Sequence, residues 1–102
     1  MDLTTALARL RRHEAELRTA GVLSLSVFGS VARDEAQAES DVDVVVRLDD
    51  DFASGGFEYF GRLEDLRERL SQILGCKVDV VAEPIRKERL RRDVEEDRVL
   101  AF

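Results

Sequence analysis

The chain predicts an α/β fold of the α+β kind, a small mixed β-sheet packed against helices. Three observations lead there. Stretches with apolar residues at helical three-four spacing alternate along the chain with short, Val-rich runs of strand length. Gly21, Gly29, Gly75 and Pro84 stand where one kind of pattern gives way to the other. No internal repeat or low-complexity segment interrupts the alternation, so a single layered domain over residues 1–102 is expected.

The first helix is expected from about Thr4 to Thr19, where Leu3, Leu7, Leu10 and Leu17 fall on one face. Thr4 or Thr5 would cap it and Gly21 would end it. Val22 to Phe28 alternates as a strand, with Leu23, Leu25 and Val27 on one face, and Gly29-Ser30 breaks it. Val31 to Ala38 reads as a short helical turn followed by a loop. Asp41 to Leu48 is the second strand; past Asp43 it is apolar on both faces, which places it centrally in the sheet. An acidic exit, Leu48-Asp49-Asp50-Asp51, and a flexible Ser54-Gly55-Gly56 loop follow. A second long helix then carries Phe57, Phe60, Leu63, Leu66, Leu70, Ile73 and Leu74 as one apolar stripe, stopped by Gly75. Lys77 to Ala82 is the third strand, with Asp79 buried inside it. Pro84 separates that strand from a last helix of about Ile85 to Leu100, whose inner face would be Ile85, Leu90, Val94 and Val99 or Leu100.

Composition removes several function classes. The apolar runs are of strand length, too short to cross a bilayer, and the N-terminus has no signal-peptide pattern, so no membrane association and a cytoplasmic location are expected. Cys76 is the sole cysteine, which excludes an internal disulfide and a Cys-based zinc site and leaves it a structural role at a helix-to-strand turn. His13, the sole histidine, sits among Arg11, Arg12 and Glu14 and reads as a solvated helix residue. Any metal would therefore be held by oxygen, which favours Mg²⁺ or Mn²⁺. A net charge of −6 argues against direct nucleic-acid binding. Arg86, Lys87, Arg89, Arg91 and Arg92 are a local exception. They read either as a charged helix exterior interleaved with Glu88, Asp93, Glu95 and Glu96, or as a docking face for an acidic partner or substrate phosphates.

The chemistry concentrates in three pieces. Phe28-Gly29-Ser30-Val31-Ala32-Arg33 is a tight turn running into a helix start, where exposed N–H groups and the helix dipole suit an anion. Gly29 permits close backbone approach to a phosphate, the Ser30 hydroxyl can donate to it, and Arg33 can add a charge-assisted fork. Ser40-Asp41-Val42-Asp43 follows, Ser40 orienting the approach to the strand and the two aspartates pointing to one face of it. Their mutual repulsion is costly unless a divalent cation offsets it. Asp79, within Val78-Asp79-Val80-Val81, would supply a third carboxylate from a neighbouring strand. A structural calcium loop fits poorly, because Asp41 to Asp51 lacks the Gly and distal Glu of an EF-hand.

Together these residues resemble the DNA polymerase β-like nucleotidyltransferase superfamily: a Gly-Ser turn, Asp-x-Asp on the next strand, and a third Asp on a later strand. More narrowly, Gly29-Ser30-Val31-Ala32-Arg33, Ser40-Asp41-Val42-Asp43 and Val78-Asp79-Val80-Val81 look like the minimal nucleotidyltransferase (MNT) family, over nearly the whole chain. One departure is Asp34, where the family often has Gly; it puts a carboxylate near the phosphate cradle. The resemblance implies a polymerase β-like core with Asp41, Asp43 and Asp79 as catalytic residues and ligands of two Mg²⁺ ions (Mn²⁺ as an alternative), and Gly29, Ser30, Arg33 and Ser40 at the nucleotide. It implies ATP as the nucleotide triphosphate substrate. It also implies a HEPN-domain toxin as partner in a hetero-oligomer, neutralised when this antitoxin transfers AMP to its tyrosine. A chain of this length is expected to leave little room for a second lobe, so acceptor recognition is expected to come from a second molecule or from self-association. Its own Tyr59 reads as a packing residue. The alternative is a non-catalytic antitoxin that neutralises its partner by complex formation alone.

Overall fold

The computed structural model describes residues Met1–Phe102. Its strands are β1 (Val22–Phe28), β2 (Val42–Leu48), β3 (Val78–Ala82) and β4 (Val99–Leu100), arranged in one sheet in the order β3-β2-β1-β4. β1 runs antiparallel to both β2 and β4, whereas β2 and β3 are parallel, so the sheet is mixed as expected. Six helices complete the chain: α1 (Leu3–Arg12), α2 (Glu14–Thr19), α3 (Gly29–Ala32), α4 (Asp50–Ala53), α5 (Gly56–Leu74) and α6 (Glu88–Asp97).

The central strands bury side chains on both faces. Val42, Val44 and Val46 join Val22, Leu25, Val27 and Val78 in the main core, packed against Ala6 and Leu10 of α1, Leu17 of α2, and Leu66, Leu70, Ile73 and Leu74 of α5. The alternate residues Phe28 and Val45 form a smaller cluster with Val94 of α6, extended by Val81, Ile85 and Leu90. Each fully buried Leu or Val contributes roughly 1.5–3 kcal/mol, so the α1/α5 side carries most of the stability. On the other side α6 is a partial cover, and what it leaves open is the site described below.

Local chemistry corrects several expected boundaries. The first helix is two helices, hinged at His13, whose ring donates from Nδ1 to the Arg9 carbonyl at 2.9 Å. The break lets α1 lie on α5 while α2 turns onto β1. The N-cap is Asp2, accepting from the Thr5 N–H at 2.7 Å, in place of Thr4 or Thr5. Leu23 does not join Leu25 and Val27: pairing jumps from Val22↔Leu48 to Ser24↔Arg47, and this bulge turns Leu23 outward. The helical turn after β1 begins at Gly29, two residues before the expected Val31. In the acidic exit Asp49 caps α4, accepting from Phe52 N–H at 2.8 Å, which seats Phe52 in the core. Phe57 and Phe60 leave the expected stripe, at 95% and 67% exposure, because only the later turns of α5 lie over the sheet. Tyr59 packs edge-on to Phe52 at 6.2 Å.

The last helix is shorter than Ile85 to Leu100. Helical conformation stops at Asp97, Arg98 is extended, and Val99 and Leu100 pair with Val27 and Ser26 as β4. This covers backbone groups that β1 would otherwise expose along an edge. Arg11 fixes the arrangement from α1, donating to the carbonyls of Ala101 and Leu100 at 2.9 and 3.0 Å. No helix is long and apolar enough to cross a membrane.

Candidate active site: a carboxylate ledge beside a glycine turn

The parallel register of β2 and β3 makes Asp43 and Asp79 direct partners. Partners across a ladder project to the same side of the sheet, and Asp41, two residues before Asp43, shares that side. All three aspartates therefore stand on the face that carries Phe28, Val45 and α6. The apolar cluster occupies one stretch of this face; the aspartates line the stretch where β2 and β3 begin. Asp41 and Asp43 are half-buried. Asp79 is exposed, contrary to the buried position expected of it, because β3 is an edge strand and α6 does not reach over its first residues.

Beside the carboxylates, β1 ends and turns through Gly29 into α3. Phe28 is the register partner of Asp43, so Gly29 meets the Asp43 side chain directly. A Cβ built on Gly29 would lie 2.3 Å from Asp43 Oδ2, and the residue holds φ +74°, where side chains are disfavoured. Glycine is required here twice over: once by the turn and once by the carboxylate pressed against it. The first N–H groups of a helix have no partner inside it, and Phe28 offers no side-chain cap. The Gly29-Ser30 turn thus presents donors next to the ledge.

The charges of this corner are unevenly compensated. Burial first, then the charges of Asp79 and Asp41, push the Asp43 carboxyl above its ordinary range, while Arg33 pulls the other way. Lys77 Nζ lies 3.6 Å from Asp41 Oδ2. Arg33, at the end of α3, donates from Nε to Glu35 at 3.0 Å and from Nη1 to Asp97 at 2.6 Å; those two bonds raise its own pKa. Ser40 accepts from the Gln37 N–H through Oγ at 2.9 Å, closing the turn that delivers the chain to Asp41. Asp34 adopts φ 59°. That left-handed conformation suits Gly best and Asp or Asn next, which explains how an aspartate occupies this position.

As the side chains stand, no three acidic, His or Cys groups lie close enough to close a metal shell on their own. The residues nevertheless fit a hard divalent cation: the donors are all carboxylate oxygens on one face, and mutual repulsion already marks Asp43. The larger cavities lie away from this ledge; one of about 290 Å³ sits between α2, α4 and α5, lined by Leu17, Phe52 and Leu66. Sequence reasoning found the aspartates and the turn, but not Asp97, Glu35 or Lys77. Asp97 is 64 residues from Arg33 and carries no motif, so nothing local could have joined the two.

A family model described as a nucleotidyltransferase domain matches residues 10–101. The chain belongs to this nucleotidyltransferase family. A protein of Methanocaldococcus jannaschii whose name places it among protein adenylyltransferases is 36% identical over 90 residues, 86% of each chain. The protein adenylyltransferase MntA of Thermococcus cleftensis is 37% identical over 73 residues, 71% of this chain and 68% of the relative. A solved structure described as a minimal nucleotidyltransferase superposes with a TM-score of 0.74 at 33% identity, covering 97% of this chain and 95% of that one. A toxin–antitoxin complex with AMP-PNP shares the fold, at a TM-score of 0.69 and 19% identity over 90% of this chain and 72% of that one. This minimal nucleotidyltransferase thus has the polymerase β-like core expected from its motifs, and its activity class is transfer of a nucleotidyl group from a nucleotide substrate.

Proposed function

We propose that this nucleotidyltransferase moves AMP from ATP to a tyrosine hydroxyl of a HEPN-domain toxin and thereby neutralises it. The single observation that carries the reading is the register that sets Asp79 beside Asp43, on the side that Asp41 shares, with Gly29 pressed against the middle carboxylate. Support for the acceptor class comes from relatives named as protein adenylyltransferases. Support for the partner comes from a structural neighbour, a tri-AMPylated HEPN toxin in complex with an MNT antitoxin.

In this reading Asp41, Asp43 and Asp79 are the residues that would hold Mg²⁺. Bound there, the metal supplies charge neutralisation and polarisation of the phosphate oxygens. The protein's own groups do the rest. Asp79, exposed at the sheet edge, faces the incoming acceptor and takes the proton of the tyrosine hydroxyl. The tyrosine oxygen bonds to the α-phosphorus as the bond to pyrophosphate breaks. Gly29 N–H, Ser30 and Arg33 donate to the departing pyrophosphate, and Ser40 fixes the strand that presents Asp41. Positioning and electrostatics carry the rate, as in phosphoryl transfer generally.

A second reading, neutralisation by binding alone, draws on the separation of the three carboxylates. One experiment divides the two. The chain is incubated with α-labelled ATP, Mg²⁺ and a HEPN partner, and label on the partner is followed for the native protein, Asp43→Asn and Asp79→Asn. Transfer to a partner tyrosine should fall about 100-fold or more in both variants, with toxin activity returning in parallel. Neutralisation that persists in both variants without label would make this chain a binding antitoxin.

A further inference from the structure

We infer that Asp97, at the last turn of α6, is a positioning residue for the nucleotide: it clamps Arg33 so that one guanidinium nitrogen is left for a phosphate. The inference rests on the reading of Arg33 as a phosphate ligand and extends it to a residue without any motif of its own.

Arg33 has three nitrogens to offer. Nε is taken by Glu35 and Nη1 by Asp97, and Nη2 donates to no protein group. Glu35 at Nε and Asp97 at Nη1 each take one end of the two edges of the guanidinium, fix its plane and leave Nη2, which both edges share, for a charge-assisted bond to a phosphate oxygen. Asp97 differs from an ordinary surface ion-pair member. Its side chain is only 15% exposed, against 64% for Glu35, and its 2.6 Å bond ties α6 to α3 across 64 residues.

Its place in the helix supports a role outside folding. A carboxylate in a final turn opposes the helix dipole, and α6 has no basic residue there to compensate. Leu90 and Val94 give α6 its apolar contact with the sheet. Asp97 continues that inward side, three residues beyond Val94, but reaches Arg33 instead of the core. The arrangement also keeps positive charge near Asp43, whose carboxyl is influenced by Arg33.

The test measures ATP binding and turnover together. Dissociation of Mg²⁺ with a non-hydrolysable ATP analogue is followed by calorimetry, and KM and kcat for AMP transfer are followed separately, in Asp97→Asn, Asp97→Glu and the control Glu96→Gln. The control removes the same charge from the same turn. We expect Asp97→Asn to weaken analogue binding and raise the KM for ATP about tenfold, with kcat changed less than threefold. Asp97→Glu should recover most of the loss, and Glu96→Gln should resemble the native protein. In a double-mutant cycle, Asp97→Asn should add little once Arg33 is Gln. A lower melting temperature with unchanged analogue binding would overturn the inference and make Asp97 a purely structural tether. Tighter binding in Asp97→Asn would overturn it in the other direction, as a latch holding Arg33 away. Because analogue binding is read without an acceptor, failure to transfer AMP to a toxin would leave this result interpretable.

Discussion

At the scale of single residues, the contact between Gly29 and Asp43 is the most exacting in the molecule. A methyl at Gly29 would fall 2.3 Å from Asp43 Oδ2 while φ stays at +74°, so strain and displacement of the carboxylate add. Gly29→Ala should cost about 1–3 kcal/mol of stability and reduce AMP transfer about 100-fold; denaturant titration and the labelling assay check the two effects separately. The Asp43 carboxyl makes a second prediction. Burial and its acidic neighbours raise it above the ordinary value of 3.8, so the fold favours its protonated form. Its contribution is fully present below that value and drains away as pH climbs through the raised one. Without divalent metal, the stability of the native protein relative to Asp43→Asn should therefore fall as pH rises from acid towards neutral. A difference that stays flat, or grows, would contradict the crowding inferred at this carboxylate. These features were partly legible beforehand: Asp41, Asp43 and Gly29 announce themselves by type and spacing, whereas the burial that distinguishes Asp43 from exposed Asp79 depends on which strand lies at the edge.

At the scale of elements, helix α5 shows how far periodicity can be trusted. Its apolar stripe is continuous in sequence, but the sheet lies only under its later turns, so Leu70 is fully buried and Phe57 stands almost wholly in solvent. Leu70→Ala should cost about 2–5 kcal/mol, whereas Phe57→Ser should shift stability by no more than about 0.5 kcal/mol. Equal losses on thermal or denaturant unfolding would show that the first turns of α5 pack against something the chain itself provides. The same limit explains the other differences. Leu23 obeys the alternation of a strand, yet the bulge between Val22 and Ser24 sends it outward. Val99 and Leu100 extend the pattern of α6, yet the open edge of β1 draws them into a strand. In each case a local pattern is real and a distant partner overrules it.

At the scale of the whole molecule, the mixed sheet, the central place of β2 and the shared face of Asp41 and Asp43 were readable from sequence, because a Val-rich strand with aspartates at period two leaves few arrangements, whereas the full strand order with β4 at its edge was not. What was not readable were the long-range arginine bonds that hold the ends together. Arg11 joins α1 to the carbonyls of Leu100 and Ala101, so Arg11→Ala should release β4, cost about 1–3 kcal/mol and accelerate hydrogen exchange at Leu25, whose amide donates to the Phe102 carbonyl, and at Ala101, whose amide donates to the Leu25 carbonyl. Unchanged exchange at those amides would mean that β4 holds by its own ladder. The partial cover provided by α6 has a wider consequence. A helix that shelters Phe28 and Val45 but stops short of the first residues of β3 leaves the aspartate end of this face roofless, open to water from above. In the proposed transfer the missing ceiling would be the acceptor's to supply, so the incoming protein surface would both offer its hydroxyl and dry the chamber in which that hydroxyl reacts.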